Sequence, residues 1–281
     1  MPVMPQRPAH AGAEGAGLQS APVRTVLVTG AGGLVGGFVM PGLVDRYRVR
    51  TFDLGDGVPD GVAAGDAVIG DLLDPAAVRA ATRGADTVVH LAAIADEAPF
   101  PDILRVNLLG SYHVLDAARL ERCRRVILAS TNRVTGGHPR HHVIGPDAEF
   151  RPDTFYAVGK IGLEALGRLY ADRFGLEIVA LRIGTLRERP ESRRDLSTWL
   201  SPADAIRLFV GAIEAPVSGF TVVYGVSANQ RAFWRHGGEA IGYVPEDDAE
   251  VDAAEVEAID TPWPSVQGRP AEHPQPAGPG S

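Results

Sequence analysis

Tyr156-Ala157-Val158-Gly159-Lys160 sets a phenol and an ammonium four residues apart. On a helix, that spacing puts both on one face. A free tyrosine ionises near pH ~10, too high for a general base at neutral pH. A nearby ammonium favours the phenolate and lowers that value. The pair suits removal of a proton from a hydroxyl group. A second hydroxyl is needed to orient the reacting oxygen, and Ser130 or Thr131, ending the apolar run Val126 to Ala129, can supply it.

A second feature lies upstream. Thr29-Gly30-Ala31-Gly32-Gly33-Leu34-Val35-Gly36 follows the strand-like run Val26-Leu27-Val28 and opens a helical stretch. Gly30, Gly33 and Gly36 allow a tight turn and let backbone approach a pyrophosphate, which then sits on a helix N-terminus. Asp53 closes the next strand about 20 residues on, where an acid hydrogen-bonds the adenosine ribose. Its carboxylate repels a 2′-phosphate, so NAD is expected over NADP. Asp71-Leu72, after a third short strand, is expected to flank the adenine. The two features together describe hydride transfer on a nicotinamide cofactor, with Tyr156 and Lys160 moving the accompanying proton. Asn107 reads as either a structural residue or a proton relay, and is counted with the cofactor set.

The elements that must carry these residues alternate. Val49 to Phe52, Thr87 to Leu91, Val126 to Ala129, Ile178 to Arg182 and Thr221 to Tyr224 read as strands. Ile103 to Arg119 and Lys160 to Phe174 read as helices, the latter with Leu163, Leu166, Leu169 and Tyr170 at helical spacing. Such alternation predicts an α/β fold, a Rossmann-type doubly wound parallel sheet with ligands beyond the carboxyl ends of its strands. Residues 23–184 are expected to form the NAD-binding domain with the Tyr/Lys pair. Residues 185–261 are expected to form a small C-terminal substrate lobe of the same compact unit. Residues 1–22 read as a disordered leader and 262–281, rich in Pro, as a disordered tail.

The chain has 281 residues, 45% hydrophobic and 22% charged, with a formal net charge of -8. That balance argues against a nucleic-acid partner, which needs a basic patch. No run is apolar and long enough to span a membrane, and the first residues lack a signal-peptide core. Cys123 is the only cysteine, so no intrachain disulfide forms and a cytoplasmic location is expected. His138, His141 and His142 lie in a Gly/Pro-flanked loop without a Cys or paired acid, so no metal site is expected. The acidic run Glu246 to Asp260 reads as a solvated helix face.

On these motifs the chain resembles the extended short-chain dehydrogenase/reductase (NAD-dependent epimerase/dehydratase) family, and within it the uronate dehydrogenases. The stretches that carry the resemblance are His90-Leu91-Ala92-Ala93, Ala98-Pro99-Phe100, Ile103 to Gly110, Leu181-Arg182-Ile183-Gly184, Leu196 to Ser201 and Val223 to Asn229. The resemblance implies oxidation at C1 of a sugar acid, a hexuronate such as galacturonate or glucuronate, to an aldaric acid lactone. It implies Tyr156 as base, Lys160 as its tuner and ribose contact, and Thr131 in place of the family's serine. Leu34, Val35, Leu91, Ala92 and Ala93 would line the cofactor. Ala95, Asn132, Arg133, Thr185 and Arg194 would line the sugar, with Arg194 clamping its carboxylate. A homo-oligomer is also implied. The chain departs from the family at Thr131, Arg133, Gly159, Thr185 and Ala95, so the substrate, including its epimer, stays open. Other readings also stay open: a sugar epimerase/dehydratase, a tailoring ketoreductase, or a non-catalytic NAD-binding protein.

Overall fold

The computed structural model describes residues 23–55, 59–258 and 265–268. Strands β1 (Thr25–Thr29), β2 (Arg48–Asp53), β3 (Ala67–Ile69), β4 (Thr87–His90), β5 (Arg125–Thr131) and β6 (Glu177–Ile183) are followed by a short pair, β7 (Thr185–Leu186) and β8 (Trp199–Leu200), and by β9 (Phe220–Gly225). Seven of them form one sheet in the order β3-β2-β1-β4-β5-β6-β9, with every pairing parallel. The order reverses between β1 and β4, and crevices at such switch points hold ligands in open α/β sheets. β5 is buried at every position and β4 likewise, so their near-continuous apolar runs are those of strands covered on both faces.

The helices are α1 (Leu34–Val44), α2 (Pro75–Thr82), α3 (Phe100–Ile103), α4 (Ser111–Leu120), α5 (Phe155–Phe174), α6 (Asp195–Thr198), α7 (Pro202–Glu214) and α8 (Ala253–Glu257). Their ends follow local chemistry. Asp74 and Ser201 cap α2 and α7, each followed by proline at the first helical position, where the missing N–H costs nothing. Thr154 caps α5 by accepting from Ala157 N, and Gly175 closes it at φ 73°. The segment expected as one helix from Ile103 to Arg119 is instead broken: residues Leu104–Gly110 form a π-helix between α3 and α4. Such widened turns cluster at functional sites.

Two boundaries differ from the sequence reading. β9 pairs with β6 along its length, and α7 packs its Leu208, Phe209, Ala212 and Ile213 into the core that also contains α1. Residues 202–225 thus complete the main sheet and its covering layer rather than a lobe beyond 184. Within the expected tail, residues 265–268 are packed against loop 136–142; Gln267 is 1% exposed. The expected leader and the rest of the tail lie outside the described residues. The acidic run is held by arginines: Arg231 bridges Glu250 and Glu257, and Arg189 bridges Asp252 and Glu255.

One buried ion pair ties the sheet to α5. Arg182 of β6 donates from Nε and Nη2 to the two oxygens of Glu164 at 3.0 and 2.9 Å, and from Nη1 to Pro146 O at 3.0 Å. Ser130 at the end of β5 donates to the same Glu164 at 2.6 Å. Removing one partner strands a charge in the core. Glu164→Ala is expected to cost about 3–5 kcal/mol in chemical unfolding, several times the effect of an exposed pair such as Arg168–Asp172. A cost below about 1 kcal/mol would show that α5 does not rely on it.

Candidate active site

The Gly turn leaves β1 with Gly30 at φ +71°. A Cβ there would lie 2.6 Å from the backbone of Ala92, and a Cβ at Gly36 would lie 2.0 Å from Ala31 O. Both glycines are therefore demanded by close backbone approach, and Gly33 serves as the N-cap residue of α1 without a side-chain cap. The arrangement leaves a helix N-terminus facing a cradle with no side chains in the way, which fits a pyrophosphate. Asp53 Oδ2 accepts from Gly32 N at 2.9 Å and Oδ1 from Leu54 N at 2.8 Å. It already braces the Gly turn at the end of β2. Asp71 makes a local turn, accepting from Leu73 N, while Leu72 is buried and its carbonyl meets His113 Nδ1 at 2.7 Å.

Beside this cradle a cavity of about 300 Å³ opens over the ends of β4, β5 and β6. Leu34, Val35, Leu91, Ala93, Ala95, Thr131, Asn132, Arg133, Tyr156, Lys160, Thr185 and Arg194 all line it. Part of the cofactor set and the sugar set expected from sequence thus line one cavity. Gly30, Gly33, Gly36, Asp53, Asp71, Leu72 and Ala92 are not among its lining residues.

Asn107 ties the π-helix to the loop after β4. Its Oδ1 accepts from Ile94 N at 2.8 Å and its Nδ2 donates to Ile94 O at 3.0 Å, in a residue 1% exposed. Both polar atoms are spent on fixing the 91–97 loop, the structural alternative of its two readings. Ser130 is likewise spent on Glu164, so Thr131 is the strand-end hydroxyl left beside Tyr156.

Tyr156 and Lys160 share one face of α5. Lys160 is 3% exposed, and its Nζ donates to Ala129 O at 2.7 Å and lies 5.7 Å from the centre of the Tyr156 ring. Burial lowers the ammonium to about 8. Burial also pushes the Tyr156 phenol up to about 12, against the pull of the Arg133 guanidinium and a hydrogen bond from Thr131. His90 bridges Thr29 and Ser111; burial and then the Lys160 charge press it to about 3, so it stays neutral. Gly159 is a packing residue: a Cβ would come 2.6 Å from Ile103 Cγ2. Its small size lets α5 lie close to the α3–π-helix segment.

The arginines on the sugar side are both held. Arg194 is 8% exposed; its Nη1 donates to Thr185 Oγ1 at 3.1 Å and Thr198 Oγ1 at 3.3 Å. Arg133 does not extend into solvent. Its Nε donates to Asp153 Oδ1 at 3.1 Å, and Asp96 lies 3.5 Å from Nη1. Asp153 and Gln267 are neighbours of these arginines that the motifs did not point to, because their partners are distant in the chain. A further signal was available in composition. Lys160 is the only lysine, and every other basic residue of the 27 Lys and Arg is arginine. An arginine there would bring a fork too bulky for this burial and a charge it cannot release.

Comparison with known proteins agrees with this geometry. The family model described as "NAD dependent epimerase/dehydratase family" matches residues 26–217. The uronate dehydrogenase of Pseudomonas syringae pv. tomato is 36% identical, covering 86% of this chain and 88% of that one. The uronate dehydrogenase of Agrobacterium fabrum is 38% identical over 81% of this chain and 86% of that one. A crystal structure of a mutant uronate dehydrogenase from Agrobacterium tumefaciens, complexed with NAD, superimposes with a TM-score of 0.81 at 36% identity, covering 87% and 95% of the two chains.

A single lysine makes its titration directly readable. In protein labelled at the lysine ε-carbon, one resonance is expected, with a midpoint near 8 rather than 10.5. The sign follows: the folded chain releases this proton before the unfolded chain does, so stability rises with pH between about 8 and 10.5. The difference between wild type and Lys160→Met should carry that rise. A midpoint at the ordinary lysine value would contradict the burial argument.

Proposed function

The chain belongs to the NAD dependent epimerase/dehydratase family, and from that membership we propose that it is an NAD-dependent oxidoreductase acting on the C1 hydroxyl of a hexuronate, such as galacturonate or glucuronate. The observation that carries this reading is that one cavity gathers a proton-moving Tyr/Lys pair and a buried arginine able to take a carboxylate. The similarity to uronate dehydrogenases over most of the chain supports it.

The cradle at Gly30, Gly33 and Gly36 would hold the pyrophosphate, Asp53 the adenosine ribose and Lys160 the nicotinamide ribose. When bound, NAD supplies the hydride acceptor. Thr131 orients the C1 hydroxyl toward Tyr156 Oη, which takes its proton as C1 gives up hydride. The C1–O bond becomes a carbonyl within the ring, and the product is a lactone. Arg194 fixes the far end of the sugar through its carboxylate, whose negative charge the guanidinium balances. Asn132, Ala95 and Thr185 frame the ring. Arg133, anchored by Asp153, lines the same cavity. Its positive charge also favours the Tyr156 phenolate. Gly159 has a packing reason and so lends no support to a degraded, non-catalytic site.

The proposal extends to a homo-oligomer: Leu109, Tyr112 and Leu120 on the segment 104–120 and Leu169 and Phe174 on α5 expose apolar side chains on sheet-flanking helices. No helix among the described residues is long and apolar enough to cross a membrane. A cytoplasmic location is proposed from cysteine usage.

NADH formation with galacturonate or glucuronate tests the reaction. Tyr156→Phe should lower kcat by about 10²–10⁴ while leaving NAD affinity unchanged, as expected for loss of a general base. Arg194→Lys, which keeps charge but loses the fork, should raise the uronate KM about tenfold or more with little change in kcat. Full activity in Tyr156→Phe, or no turnover of either uronate by wild type, would overturn the proposal.

A further inference from the structure

Residues Ser265–Gly268 have no part in the reaction as drawn, yet they sit on its substrate side. They run antiparallel to loop 136–142: Arg140 N donates to Ser265 O at 3.0 Å, Gln267 N to His138 O at 2.9 Å and Gly268 N to Gly136 O at 2.9 Å. The Gln267 side chain is fully engaged. Its Oε1 accepts from Trp234 Nε1 at 2.9 Å, and its Nε2 donates to His142 O at 2.8 Å and more weakly to Pro139 O at 3.4 Å. A glutamine with both amide atoms satisfied in the core is a specific anchor rather than a chance contact.

Two contacts connect this strap to the pocket arginines. The Gln267 carbonyl accepts from Arg194 Nε at 2.8 Å. Together with the Nη1 bonds to Thr185 and Thr198, that bond fixes the plane of the guanidinium. Gly268 passes directly over Asp153: a Cβ at 268 would lie 1.8 Å from Asp153 Oδ2. That oxygen is buried without a hydrogen-bond partner, while the other carboxylate oxygen holds Arg133 Nε. The strap therefore touches Arg194 directly and Arg133 through Asp153.

We propose that the 265–268 strap is a positioning element for the substrate carboxylate, with Gln267 setting the plane of Arg194 and Gly268 seating the Asp153–Arg133 pair. A charged clamp depends on the orientation of its guanidinium, so a strap that sets that orientation governs sugar-acid binding more than hydride transfer. This inference rests on the proposed role of Arg194 as the carboxylate clamp.

The test uses full-length protein carrying Gln267→Ala, which removes the anchor but keeps the carbonyl, and Gly268→Ala, which forces the strap off Asp153. With saturating NAD, both should raise the galacturonate KM about tenfold while kcat and the NAD dissociation constant stay within about twofold. A fall in kcat or NAD affinity as large as the KM change would mark a merely structural segment and overturn the proposal; so would an unchanged KM. A second readout separates this from the parent reading. Hydrogen exchange of the Arg194 Nε–H, followed by arginine-labelled NMR, should be slow in wild type and fast in both variants. If wild type turns over neither uronate, the proposed function fails, and the strap is judged on that exchange alone. Equal exchange in wild type and variants overturns it.

Discussion

The site depends on burying one ammonium beneath the end of β5. Lys160 reaches Ala129 O with almost no exposure, so α5 must lie close to the sheet and at a fixed height along it. Gly159 allows the approach to the α3–π-helix segment, and the Glu164–Arg182–Ser130 cluster locks α5 to the ends of β5 and β6. Desolvation then acts on both members of the pair in the uncharged direction, raising the phenol and lowering the ammonium. Burial thus disfavours the charged form of each. Positive potential near the phenol comes from Arg133, whose own burial is balanced by Asp153.

The two halves of the cavity are built on different principles. The side at the Gly turn is backbone: glycines at Gly30 and Gly36 that no side chain could replace without collision, the turn itself braced by Asp53, and the 91–97 loop held by Asn107. The sugar side is made of side chains held by other side chains, with Arg194 among Thr185, Thr198 and Gln267 and Arg133 on Asp153. Backbone sites tolerate little variation, whereas side-chain frames can change partners.

Much of this was legible in the chain because it is local. The Gly turn follows its strand, Asp53 ends the next one, and Tyr156 and Lys160 are one helical turn apart. The strand runs β1, β2, β4, β5, β6 and β9 were each visible as apolar stretches. What escaped depends on pairing across the sequence. β9 and α7 join the main sheet because β6 presents an open edge, which no local pattern announces. Asn107 was ambiguous until its partner, Ile94, was placed 13 residues away. Gln267 lies in a Pro-rich stretch whose composition speaks for disorder, yet its partners are Arg194, Trp234 and His142. The solitary lysine among so many arginines was a global signal, and it marks Lys160 more sharply than the Y-x-x-x-K spacing does.

The central claim is that hydride leaves C1 of a uronate and that the protein releases the oxidised sugar. The most direct measurement follows galacturonate carrying deuterium at C1 through turnover with unlabelled NAD, with both products read by mass spectrometry. The account predicts deuterium in free reduced NAD and an unlabelled aldaric acid lactone. Deuterium retained in a sugar of altered configuration, with no net reduction of NAD, would contradict it and identify an epimerase.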